Sequence, residues 1–419
     1  MKWTNPSAEL LSFFMDNQCI QPIHINKRNN ILSLFSLVIE AQRWFHQEKR
    51  KDSQWIKLSK RSVYNIKDIP KPITFKRSSF PEDVMEHIET FSKTVFTYTF
   101  SLFHRKITIH FILEKGDKEK GDKEKGDKEK EEIYNDYVER IILWLYIVHA
   151  HSATHCSHEL HLFLYQTSLL KELPDSNETI LDQHHVNTAF TYTCPRVSEI
   201  VVYRKEEWFK VLIHETFHNF ALDFSNMTLE NCNKRILHMF PVDSKVNLYE
   251  AYTETWARIW NAVFCSFFST TFKKRDESYF LSTFDILMRI EIIFSFFQMV
   301  KVLHFMGLRY KDIIHRDTKN SYREKTNVLA YFIITMVLLD NYENFLSWSK
   351  HNNGNALFVF RKTQKNVGSF CDFIEKKYKS PSILQGVECM ESFLSNINPK
   401  ERKELFLLKN MRMTASEWG

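Results

Sequence analysis

VLIHETFHNFALDF, residues 211–224, sets two histidines four residues apart and a glutamate directly after the first. On a helical wheel Phe209, Ile213, Phe217, Phe220 and Phe224 fall within an arc of roughly 80°, which predicts an amphipathic helix over 209–224. His214 and His218 then share a neighbouring sector, and imidazoles at i and i+4 converge on one tetrahedral ion. Glu215 points to a different sector. It reaches water at such an ion without ligating, as a carboxylate that shuttles protons must. The positions within and beside HETFH carry no other charge and neither Pro nor Gly. Chance alone produces HExxH in roughly one such chain in twenty, so the flanking pattern matters.

Two imidazoles and a water leave one ligand to be found. Ala221 and Phe224 stand where an HExxHxxGxxH arrangement needs Gly and His, which excludes that solution. The stretch NLYEAYTETWARIW, 247–260, offers Glu250 and Glu254, four apart and on one helix face. One carboxylate on the metal and one holding a ligand imidazole by its far N–H is the division of labour this spacing suits.

HETFH followed by EAYTETWA resembles the gluzincin class of zinc metallopeptidases, over roughly residues 185–265. The resemblance implies an α+β, zincin-like fold: a mixed half ending in the HExxH helix, then a mainly helical half, with one zinc ion held between them. It implies His214, His218 and Glu250 as metal ligands, Glu215 as the general base and Glu254 beside the ligand shell. A second alignment, taking ETWA as the signature, makes Glu254 the ligand. The segment HHVNTAFTYTC is the candidate edge strand for an extended substrate. The class also needs a His or Tyr donor for the developing oxyanion. The helical half offers His304, Tyr310, His315, Tyr322 and Tyr331, and a family likeness around EKTNVLAYFI favours Tyr331. That stretch, with NTAFT and VVYRKEEWFKVLIHE, is similar to metallopeptidase-like proteins of large DNA viruses, which implies host cytoplasm or virion as the location.

The rest of the chain constrains function by exclusion. Its 419 residues, 43% hydrophobic and 15% aromatic, suffice for two or three packed units. With eight glycines there is neither GxGxxG nor GxxxxGK[ST], so no phosphate loop is read. A net charge of +6 without a basic stripe gives no nucleic-acid partner. Apolar runs such as FIITMVLL, 332–339, fall short of the ~18 residues of a membrane span. Seven scattered cysteines, none spaced CxxC, read as unpaired thiols in a reducing compartment. The expectation is a soluble intracellular protein acting on a peptide or protein.

Organisation follows from pattern shifts. An α+β region, 1–114, opens with helices to about residue 50 and closes on a hairpin. The hairpin's strands FTYTFSL and ITIHFIL alternate at period two. A charged low-complexity loop, 115–132, contains KGDKEKGDKEKGDKEK. The mixed half, 133–245, has a helix from 133, strands HLFLYQ and SEIVVYR, and the HExxH helix. The helical half, 246–419, has helices at 248–269, 281–305 and 325–340. HAHSATHCSHELH, with His149, His151, His155, His158 and His161 around Cys156, reads as an exposed turn, because its spacings fit no metal motif. Two rivals to a peptidase stand: a catalytically silent zincin fold serving as an interaction or virion protein, and a helical binding module in which HExxH is coincidental. Zinc hydrolysis of a non-peptide bond is a third option.

Overall fold

The computed structural model describes residues 3–15, 28–114, 127–269, 276–354, 356–397 and 402–419. Numbered along the chain, the strands are β1 Lys57–Ser62, β2 Ser92–Leu102, β3 Arg105–Glu114, β4 Glu159–Gln166, β5 Ala189–Thr191 and β6 Val197–Val202. The first helices are α1 Asn5–Met15, α2 Arg28–Lys51, α3 Glu82–Phe91, α4 Asp127–His149, α5 Gln183–Val186 and α6 Trp208–Asn219. Then come α7 Glu230–Met239, α8 Leu248–Ser269, α9 Glu277–Phe305, α10 Tyr310–His315 and, after a π-helical turn Leu329–Ile334, α11 Thr335–Asp340. The last are α12 Tyr342–Asn353, α13 Gln364–Lys377, α14 Pro381–Ser395 and α15 Arg402–Lys409. The chain forms two compact units, 33–169 with 188–222, and 1–32 with 170–187 and 223–419.

The first unit is built on a mixed six-stranded sheet in the order β1-β2-β3-β4-β6-β5. β2 and β3 form the expected hairpin, closed at Leu102↔Arg105, so Lys106 belongs to the strand rather than to the turn. β3, β4 and β6 run parallel, and β5 returns antiparallel on β6 as the last strand. Both faces of the hairpin are covered. Phe96 and Phe111 meet Tyr134 of α4, while Val95 and Ile112 join Val84, Met85 and Ile88 of α3 and Phe163, Tyr165 and Val201 in one core. Burial of each such side chain contributes about 1.5–3 kcal/mol, which is what holds a sheet this mixed together.

The second unit is helical around α8 and α9, of 22 and 29 residues. From Ile290 to Leu303, α9 is buried around its whole circumference, as a central helix must be. The expected helices at 248–269 and 281–305 are present; that at 325–340 starts later and opens with the π turn. Residues 127–132, expected in the charged loop, begin α4; the repeat before them, 115–126, lies outside the described residues. Among the described residues no helix is long and apolar enough to cross a membrane.

The thiol expectation is corrected. Cys156 and Cys194 are joined in a disulfide and Cys389 is also disulfide-bonded, whereas Cys232, Cys265 and Cys371 are free and buried. Parallel register is the reason. Glu159 pairs with Val197, so residues three before each strand start, Cys156 and Cys194, lie side by side despite a sequence separation of 38.

Candidate metal centre

α6 carries the HExxH residues and ends sooner than its apolar stripe suggests. Phe220 N donates to Thr216 O, Ala221 N to His218 O and Leu222 N back to Phe217 O at 2.8 Å. Ala221 takes the left-handed conformation, φ 53°, that usually falls to glycine at this kind of cap. The helix therefore stops at Asn219, and Phe224 is buried in the other unit. Side chains pin α6 from several directions. Trp144 Nε1 donates to Thr216 Oγ1 at 2.6 Å. Asn219 Nδ2 donates to Thr191 Oγ1 of β5 at 2.9 Å, and Asn219 Oδ1 accepts from Ser157 Oγ.

On this fixed helix His214 and His218 turn their Nε2 atoms toward each other, 3.1 Å apart. Two nitrogens at ~2.05 Å from one tetrahedral ion sit ~3.3 Å apart, so the pair is spaced as ligands of a common ion are. His214 and Glu215 are buried, and His218 is half-buried.

Glu250 lies in the first turn of α8 and Glu254 one turn later, both buried. Tyr331, in the π turn, donates its hydroxyl to Glu250 Oε2 at 3.0 Å. Asn327 Nδ2 approaches the same hydroxyl at 3.3 Å, and Asn247 Nδ2 donates to Asn327 Oδ1 at 2.7 Å. This Asn247–Asn327–Tyr331–Glu250 chain fixes one carboxylate oxygen of Glu250. A wider turn frees the backbone to re-aim a side chain, and such turns concentrate at functional sites. Glu324 caps the turn by accepting from Leu329 N at 2.8 Å and Tyr322 Oη at 3.1 Å, and burial pushes its carboxyl up to about 7.

One ligand atom from each of His214, His218 and Glu250 lies within 4.8 Å of the others. The expected candidates His304, Tyr310 and Tyr322 have other surroundings: His304 is exposed in the last turn of α9, Tyr310 donates to Tyr378 O and Tyr322 to Glu324. Asn247, Asn327 and Glu324 escaped sequence reasoning, since an asparagine before a helix is an ordinary cap and a lone glutamate an ordinary surface residue. No family model, curated protein or solved structure matches this chain.

Proposed function

We propose that the protein is a zinc-dependent peptidase whose single ion is held by His214, His218 and Glu250, with Glu215 as general base. The observation that carries the reading is the donor set: two imidazole Nε2 atoms 3.1 Å apart and one carboxylate oxygen within 4.8 Å of both. Two neutral nitrogens and one anionic oxygen are a borderline-soft set that suits zinc and leaves one coordination position open. The chemistry such a bound ion supplies is Lewis acidity at neutral pH, acidifying water and polarising a carbonyl.

The chain's own residues carry the rest. His214 and His218 bind through Nε2, fixed by the i, i+4 geometry of α6. Tyr331 holds Glu250 in place, a positioning task in this reading, because its hydroxyl proton is committed to that carboxylate. Glu215, adjacent to one ligand but on another sector of the helix, takes the proton of the attacking water and returns it to the departing amine nitrogen. β5, the last strand of the sheet, presents the edge along which an extended peptide substrate aligns.

Metal analysis and a broad peptide library test this. The wild-type chain is expected to hold one zinc per molecule and to lose cleavage to a chelator. His218→Ala should lose the metal. Glu215→Gln should keep it while turnover falls by at least ~10². Full activity in Glu215→Gln would overturn the assigned base, and a metal-free wild-type chain the centre itself.

A further inference from the structure

We propose that His155, Cys156 and Cys194 form a second site, for a soft divalent cation such as zinc, closed while the two sulfurs are joined and opened when a dithiol reduces them. The site shares no residue with His214, His218 and Glu250. Cys194 Sγ lies 3.3 Å from His155 Nε2, and one ligand atom of each of the three residues lies within 4.8 Å of the others. Cys156 is buried, Cys194 half-buried and His155 exposed, so solvent reaches the trio on the imidazole side.

The backbone around the trio is held independently of the sulfur–sulfur bond, which is why the ligands stay together after reduction. Ser157 N donates to Pro195 O at 2.8 Å and Glu159 N to Arg196 O at 3.1 Å, continuing the β4–β6 pairing up to both cysteines. Cys194 N donates to Asn219 O at the end of α6, and Cys156 N to Ala153 O. The buried guanidinium of Arg105 clamps the intervening loop. It donates to Ser152 Oγ at 2.8 Å, Ala153 O at 3.0 Å and Cys156 O at 3.4 Å, contacts His149 Nδ1, and lies over the Phe220 ring.

The chemistry balances in two steps. A dithiol gives two electrons and two protons to the Cys156–Cys194 bond, yielding two thiols and the reductant's own disulfide. Cation binding then displaces one proton from each thiol, giving an S₂N donor set with a fourth position left to water. Thiolates select zinc over magnesium or calcium, so the ligand class is a soft or borderline metal.

Cobalt titration of the full-length chain separates this site from the first, which has no sulfur ligand. After reduction with dithiothreitol and anaerobic desalting, Co²⁺ should raise a thiolate-to-cobalt charge-transfer band saturating at one ion per chain and erased by Zn²⁺. The unreduced chain should show none. Cys194→Ser, folded by far-ultraviolet circular dichroism, should lose the band, and His155→Ala should keep it with affinity weakened at least about tenfold. A reduced chain in which Cys156 and Cys194 both become alkylatable, read by peptide mapping, yet no band appears would overturn the proposal, as would a Cys156–Cys194 bond that no dithiol opens, or a band that survives Cys194→Ser.

Discussion

Ala221 shows how one residue sets the length of the HExxH helix. Its left-handed backbone ends α6 directly after the second histidine's turn, at a cost of about 1 kcal/mol for a side chain with a Cβ. Ala221→Gly removes that cost and restores part of it as unfolded-state entropy. The net expectation is about 0.5 kcal/mol of added stability, read as a small rise in thermal midpoint. Tyr331 is the second decisive residue. Deleting its hydroxyl leaves Glu250 without the partner that orients it. Tyr331→Phe is therefore expected to weaken zinc binding about 10–100-fold, measured by competition with a chromophoric chelator. Unchanged affinity would remove Tyr331 from the positioning role.

Among the elements, the π turn at Leu329–Ile334 has a titratable anchor. Glu324 is half-buried with its carboxyl raised from 4.5 to about 7, chiefly by desolvation, against the hydrogen bonds from Ser244 and Leu329 N. A raised folded value means that the protonated acid is the form the fold prefers. Its contribution is complete below about pH 4.5 and disappears as pH rises to about 7, a loss of about 3 kcal/mol across that window. Glu324→Gln, neutral at every pH, should flatten that part of the stability profile in urea titrations at pH 5 and pH 8. The turn's readiness to loosen at higher pH would show as faster hydrogen exchange at Leu329–Tyr331.

At the scale of the whole molecule, the helical unit is closed by a buried charge. Glu291 of α9 accepts from Arg258 Nε of α8 at 3.1 Å and Nη2 at 3.0 Å. Its other oxygen takes Thr414 Oγ1 at 2.6 Å and the backbone N–H groups of Ala415 and Ser416 at 2.9 Å. The last described segment is thereby tied to the two central helices. It also meets the first: Trp3 stacks on Trp418 at 4.3 Å, and Thr4 N donates to Glu417 O. Glu291→Ala strands a buried guanidinium and three donors, so the expected loss is about 3–5 kcal/mol, measured by chemical denaturation. A loss under 1 kcal/mol would mean that water reaches Arg258.

Local pattern alone determined a good deal. Period-two alternation marked the β2–β3 hairpin, long apolar runs marked α8 and α9, and HExxH with a glutamate on a later helix named His214, His218, Glu215, Glu250 and Glu254 as candidates. Those readings need only contacts between residues near in sequence, or a spacing fixed by helix geometry. The tertiary structure decided what depends on distant pairings. Parallel register set Cys156 against Cys194, the left-handed cap at Ala221 shortened α6, and the π turn brought Tyr331 to Glu250 across 81 positions of chain. No local periodicity encodes such juxtapositions, because they arise only when strands choose partners and buried polar groups find hydrogen bonds.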